Sequence, residues 1–144
     1  MTHVEPLPFR LRLPGEDSID AEGARSISYR LEGLLHLEGD AVTLEWTATR
    51  RTQLVGFGEV KDEVDESPVG TIEIPVDWLT QVRRRGGWWA PRLQLRARRL
   101  HAFEGLPGAQ PTLLTLRIRR RDRTHADATA AAIVAVRDAA AEGS

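Results

Sequence analysis

The sequence predicts a mainly β domain, α+β by element count: a seven-stranded antiparallel barrel or pair of packed sheets, capped by one C-terminal α-helix. Three observations carry this. Apolar and polar residues alternate at period two through the middle of the chain, glycine, proline and acidic clusters punctuate that alternation, and after Arg121 the period lengthens to a helical one. A chain of 144 residues buries about two-thirds of its unfolded surface, enough for one core without a disulfide or metal. One domain is expected over 26–144. Residues 1–25 read as an N-terminal extension, in which Phe9, Leu11 and Leu13 alternate with Arg10 and Arg12 and allow one short strand.

Tyr29, Leu31, Gly33, Leu35 and Leu37 share one face and Arg30, Glu32, His36 and Glu38 the other, which is the pattern of a half-buried strand. Glu38-Gly39-Asp40 is a turn, and Val42, Leu44, Trp46 and Ala48 alternate with Thr43, Glu45, Thr47 and Thr49, so these two strands form an antiparallel hairpin. From Gln53 to Pro68 the alternation fails among Gly56, Gly58, Asp62, Glu63, Asp65 and Glu66, and an extended loop or a protruding hairpin is expected. A third strand runs through Gly70, Ile72 and Ile74 and stops at Pro75, whose fixed φ and missing donor make a corner. A short fourth strand follows at Leu79 to Arg83. Gly86-Gly87 mark a tight turn, and Leu93, Leu95 and Ala97 define a fifth strand, with a weaker sixth over Leu100 to Glu104. After the loop Gly105 to Pro111, Leu114, Leu116 and Ile118 form the seventh. The helix is expected over about 124–141, with Asp122 or Thr124 as cap and a stripe of Ala126, Ala130, Ile133, Val136 or Arg137, and Ala140. Such a length is marginal in isolation, so its apolar face must dock on the sheets.

Composition narrows the function. With no cysteine there is no disulfide and no thiolate ligand or nucleophile, consistent with a cytoplasmic setting. Glu5, Arg10 and Arg12 interrupt the only apolar stretch near the start, leaving no run suited to a signal sequence or a membrane span. The five serines have no glycine-flanked elbow and the four histidines are scattered, so the expectation is no enzyme, no metal and no cofactor. Residues 1–80 hold 7 basic against 16 acidic side chains and residues 81–144 hold 13 against 5, and cross-strand neutralisation between the halves is expected. Arg96, Arg98, Arg117 and Arg119 form an outward stripe if the last strands run as a meander. The slightly acidic overall balance, the few aromatic residues and the lack of a base-reading motif argue against nucleic acid.

Strands in hairpin-rich groups followed by a helix, together with Ile74-Pro75-Val76-Asp77-Trp78-Leu79, resemble a bacterial pleckstrin-homology-like domain and its isoleucine-proline corner, over roughly Ser26 to Ala141. The resemblance implies a two-sheet barrel plugged by the helix, and a role in binding phosphoinositides, peptides or further copies of the chain. The family's lipid-binding members carry basic residues between their first two strands, where this sequence has Glu38-Gly39-Asp40; those charges repel phosphate.

The candidate site is Arg83-Arg84-Arg85-Gly86-Gly87-Trp88-Trp89, which sets three cations, a flexible turn and two large rings at a hairpin end. Arginine and tryptophan are enriched where proteins meet partners. The partner-binding residues are thus Arg83, Arg84, Arg85, Trp88 and Trp89, for an unknown protein or for self-association, with an anionic membrane surface as the alternative. A quieter reading puts one ring in the core, packs the other beneath an arginine stem and pairs the arginines with the acidic half.

Overall fold

The computed structural model describes residues 5–21, 23–56, 58–107 and 110–142. Eight strands build one antiparallel sheet: β1 (Leu7–Asp20), β2 (Gly23–Glu38), β3 (Ala41–Gly56), β4 (Glu59–Glu66), β5 (Gly70–Pro75), β6 (Leu79–Arg85), β7 (Arg92–Ala97) and β8 (Leu113–Arg117). Helix α1 (Arg123–Glu142) closes the chain. The strand order is β4-β3-β2-β1-β8-β7-β6, and β5 also pairs with β3. The mainly β class and the terminal helix are as the alternation required; the strand inventory differs at two places, and at a third the structure takes one of the two expected forms.

Residues 7–20 form a fourteen-residue strand, longer than the short strand their alternation suggested, and it joins the two halves of the sheet. The segment 53–68 takes the protruding-hairpin form: β3 continues to Gly56 and β4 returns beside it. Its strands lack a hydrophobic period because most side chains on both of its faces meet solvent. The backbone ladder holds the pair, and two exposed ion pairs brace it, Arg50 Nη2 to Asp65 Oδ2 at 2.8 Å and Arg51 Nη2 to Asp62 Oδ2 at 2.6 Å. The hydrogen bond from Arg51 keeps the Asp62 carboxyl below the usual aspartate range. The strand expected over Leu100 to Glu104 is replaced by turns. Ala102 and Phe103 are consecutive and both buried, which a strand with one face to the core does not permit, and His101 takes φ 63° to achieve it.

The core gathers Leu7, Phe9, Leu31 and Leu35 from β1 and β2, Val42, Leu44 and Trp46 from β3, Leu93 and Leu95 from β7, and Leu114 and Leu116 from β8. One row across it explains why Gly33 sits in a strand. Phe9, Gly33, Trp46 and Gly70 are successive cross-strand partners on β1, β2, β3 and β5. Large and small alternate, and a Cβ on Gly33 would fall 2.1 Å from the Glu45 carbonyl oxygen and 2.7 Å from the Phe9 ring. After Pro75 a single 3-10 turn, Val76–Trp78, makes the corner into β6, anchored by the Val76 N–H donating to the Asp40 carbonyl at 2.8 Å.

Helix α1 buries Ala126, Thr129, Ala130, Ala132 and Ile133. Ala140 of the expected stripe is exposed, because the helix outruns the sheet it covers. The Thr129 hydroxyl is buried without cost, since it donates to the His125 carbonyl one turn back at 2.8 Å. Among the described residues no helix is long and apolar enough to cross a membrane.

Candidate interaction site at the β6–β7 turn

Strand parity divides the arginine triplet. Arg83 and Arg85 are registered with Gln94 and Arg92 on the outer face, and both are exposed. Arg84 is registered with Leu93, a core residue, so its stem starts on the inner face and reaches the helix. Its Nε–H donates to Asp127 Oδ1 on α1, and its Nη1–H donates to the Gly87 carbonyl at 3.1 Å. Arg84 therefore braces the turn and fastens the hairpin to the helix, while the arginines beside it face solvent.

The turn needs glycine at its first position. Gly86 has φ 86°, and a Cβ there would lie 1.9 Å from the Ala90 carbonyl oxygen. Past the turn Pro91 is buried, and its carbonyl accepts the Ile118 N–H at 3.0 Å, tying the loop to the end of β8. Trp88 and Trp89 are thus carried on a loop fixed on either side of them, at Gly87 and at Pro91. Neither ring enters the core: Trp88 is 53% exposed and Trp89 76%. They meet edge to face with centroids 4.5 Å apart, and the Arg120 guanidinium stacks on both, at 4.9 and 5.0 Å. That contact replaces the expected arrangement of one ring in the core and one beneath an arginine stem.

Nor, among the described residues, does any ion pair join the two halves. His36 with Glu45, Arg50 with Asp65 and Arg51 with Asp62 lie within the first 80 residues, and Arg84 with Asp127 and Arg137 with Asp138 within the last 64. The strand order is the cause, since acidic β4 stands at the far side of the sheet from β6, β7 and β8. Among the described residues Arg83 and Arg85 have no ion pair. Arg120 is the contributor the sequence concealed. It is far from the turn along the chain, and only the β8 to α1 crossing brings it over the rings.

The arrangement offers two amphipathic rings on a braced loop with cations around them, a surface suited to being covered by another molecule. Comparison of the chain with protein families, with curated proteins and with solved structures finds no match.

Proposed function

We propose that the chain is a non-catalytic interaction module, a pleckstrin-homology-like barrel that binds a protein partner or a second copy of itself through the β6–β7 turn. The observation that carries this is the exposure of Trp88 and Trp89 on a loop that Arg84 and the Pro91 carbonyl hold in place. Rings already held give up little freedom on contact, so covering them yields a few kcal/mol that a mobile loop would partly lose. The likeness in architecture is supported by the order of elements. With the projecting β4 set aside, seven strands remain, four then three, followed by the helix, and Pro75 turns the chain between the groups. Phosphoinositide binding is disfavoured in this reading. The Glu38-Gly39-Asp40 turn joining β2 and β3 offers two acidic side chains and no cation, which repels phosphate.

Trp88→Ala/Trp89→Ala tests it. Both sites are exposed, so the fold should survive, to be checked by circular dichroism. The variant is expected to lose any protein recovered from lysate by the parent chain, or the dimer or larger species seen by light scattering coupled to size exclusion. Unchanged recovery together with unchanged mass would remove the turn from the account. A second reading, peripheral attachment to anionic lipid, is favoured by the unpaired Arg83 and Arg85 beside the rings. It predicts flotation with phosphatidylglycerol vesicles at low salt, and a chain that stays at the bottom of the gradient ends it.

A further inference from the structure

The registers place four arginines directly opposite one another across four neighbouring strands. Arg85 of β6 pairs with Arg92 of β7, Arg92 with Arg117 of β8, and Arg117 with Arg10 of β1, where Glu32 of β2 ends the row. All four arginines are exposed on the outer face. Arg12, two residues along β1 on the same face, is registered with Arg30 of β2. Arg10, Arg12, Arg30 and Arg117 surround one depression, and Arg12 and Arg30 continue into a groove of about 560 Å³ that runs past Glu32 to Ser28, Thr49 and Arg51, the last already paired with Asp62. Among the described residues, none of Arg10, Arg12, Arg30, Arg85, Arg92 and Arg117 makes an ion pair. Like charges directly opposite in a sheet oppose folding. Among the described residues no carboxylate comes within ion-pair distance of them, and Glu32 is the only acid registered opposite one, which leaves their charge open to an outside anion.

We infer that this face binds the phosphodiester backbone of single-stranded nucleic acid. Its shape and its ends select that occupant over other polyanions. From β6 to β3 the path crosses five strand spacings, about 24 Å, a narrow track suited to a chain and not to a flat bilayer. The groove past Arg12 is recessed and bordered by the Ser28 and Thr49 side chains, whose hydroxyls are phosphate donors. At the other end, next to Arg85 and Arg92, stand the exposed rings of Trp88 and Trp89, which give bases a stacking surface an acidic peptide does not use. Near-neutral net charge does not contradict this, because β6, β7 and β8 themselves carry no acidic residue.

The face shares Arg85, Trp88 and Trp89 with the turn proposed above to bind protein, so the test uses Arg92 and Arg117, which that role does not include. The probe is a fluorescein-labelled oligothymidine of about 20 nucleotides, followed by anisotropy. With four backbone contacts, affinity should fall about 50-fold between about 50 and about 200 mM salt, at about 0.7 counterions released per contact on a single strand. Arg92→Thr/Arg117→Thr removes two contacts, and the same salt step should then weaken binding only about 7-fold. Arg25→Ser/Arg50→Ser removes the same charge from the opposite face and should keep the parent's slope. The threonine variant relieves repulsion and should melt no lower than the parent, so lost binding cannot be assigned to unfolding. Absence of binding at about 50 mM salt, or equal slopes in all three proteins, overturns the inference. So does displacement of the oligonucleotide by phosphatidylglycerol vesicles or polyglutamate as readily as by unlabelled oligothymidine.

Discussion

Arg84 and Arg85 adjoin in the chain, yet one faces the helix and the other the solvent, and their substitutions should separate accordingly. Removing Arg84 breaks its ion pair with Asp127 and its hydrogen bond to the Gly87 carbonyl, and bares part of the inner face its stem covers. Arg84→Ala is expected to cost about 1 kcal/mol, a fall in Tm of a few degrees, because the pair is partly screened by water. Arg83→Ala, with no such partner, should stay within about 0.5 kcal/mol of the parent. Thermal melts followed by circular dichroism decide it, and equal losses at the two positions would sink the distinction. The division follows from parity once Leu93 is known to be inside, but which residue lies opposite Leu93 depends on a turn whose length only Gly86 to Pro91, taken together, fixes. The triplet was legible as a feature, and its division of labour was not.

The long hairpin β2–β3 shows how far alternation carries at the level of an element. Tyr29 to Leu37 and Val42 to Ala48 reveal themselves because each strand has one dry face and one wet one. β4 stayed open between loop and hairpin for the opposite reason: with Asp62 and Val64 on one side and Lys61, Glu63 and Asp65 on the other, it is wet on both, and a ladder with two wet faces leaves no hydrophobic period. Leu100 to Glu104 misled because three apolar residues in five resemble a strand until adjacent ones are found buried together. Gly33 was read correctly as inward-facing, but its reason is the Phe9 and Trp46 rings that flank it from the neighbouring strands. Gly33→Ala is accordingly expected to destabilise by about 1–3 kcal/mol, as overpacking does when the obstructing atom belongs to the backbone. A urea midpoint unchanged from the parent's would show that β2 and β3 slide apart to admit the methyl group.

Considered whole, the molecule mixes its charges on β3 and β4 but leaves β6, β7 and β8 without an acidic residue. The two parts of the sheet meet on the β1–β8 border through the single register point Arg10 to Arg117, a like-charged pair, and cohesion comes from the shared apolar interior and from α1. The net charge of −1 therefore does not describe the β6–β8 side of the sheet. Beyond the interior the sheet runs on as a four-stranded apron, where Ile19, Ala24, Val55 and Val60 lie in one exposed row. So little is dry there that the apron can fray while the rest stays shut. Backbone amides of β4 should trade hydrogen for deuterium orders of magnitude sooner than those of β7, and uniform protection along both strands would mean the apron melts only with the whole. Evolution is thereby left a detachable margin, one that can lengthen, shorten or change its sequence without disturbing what the interior holds together.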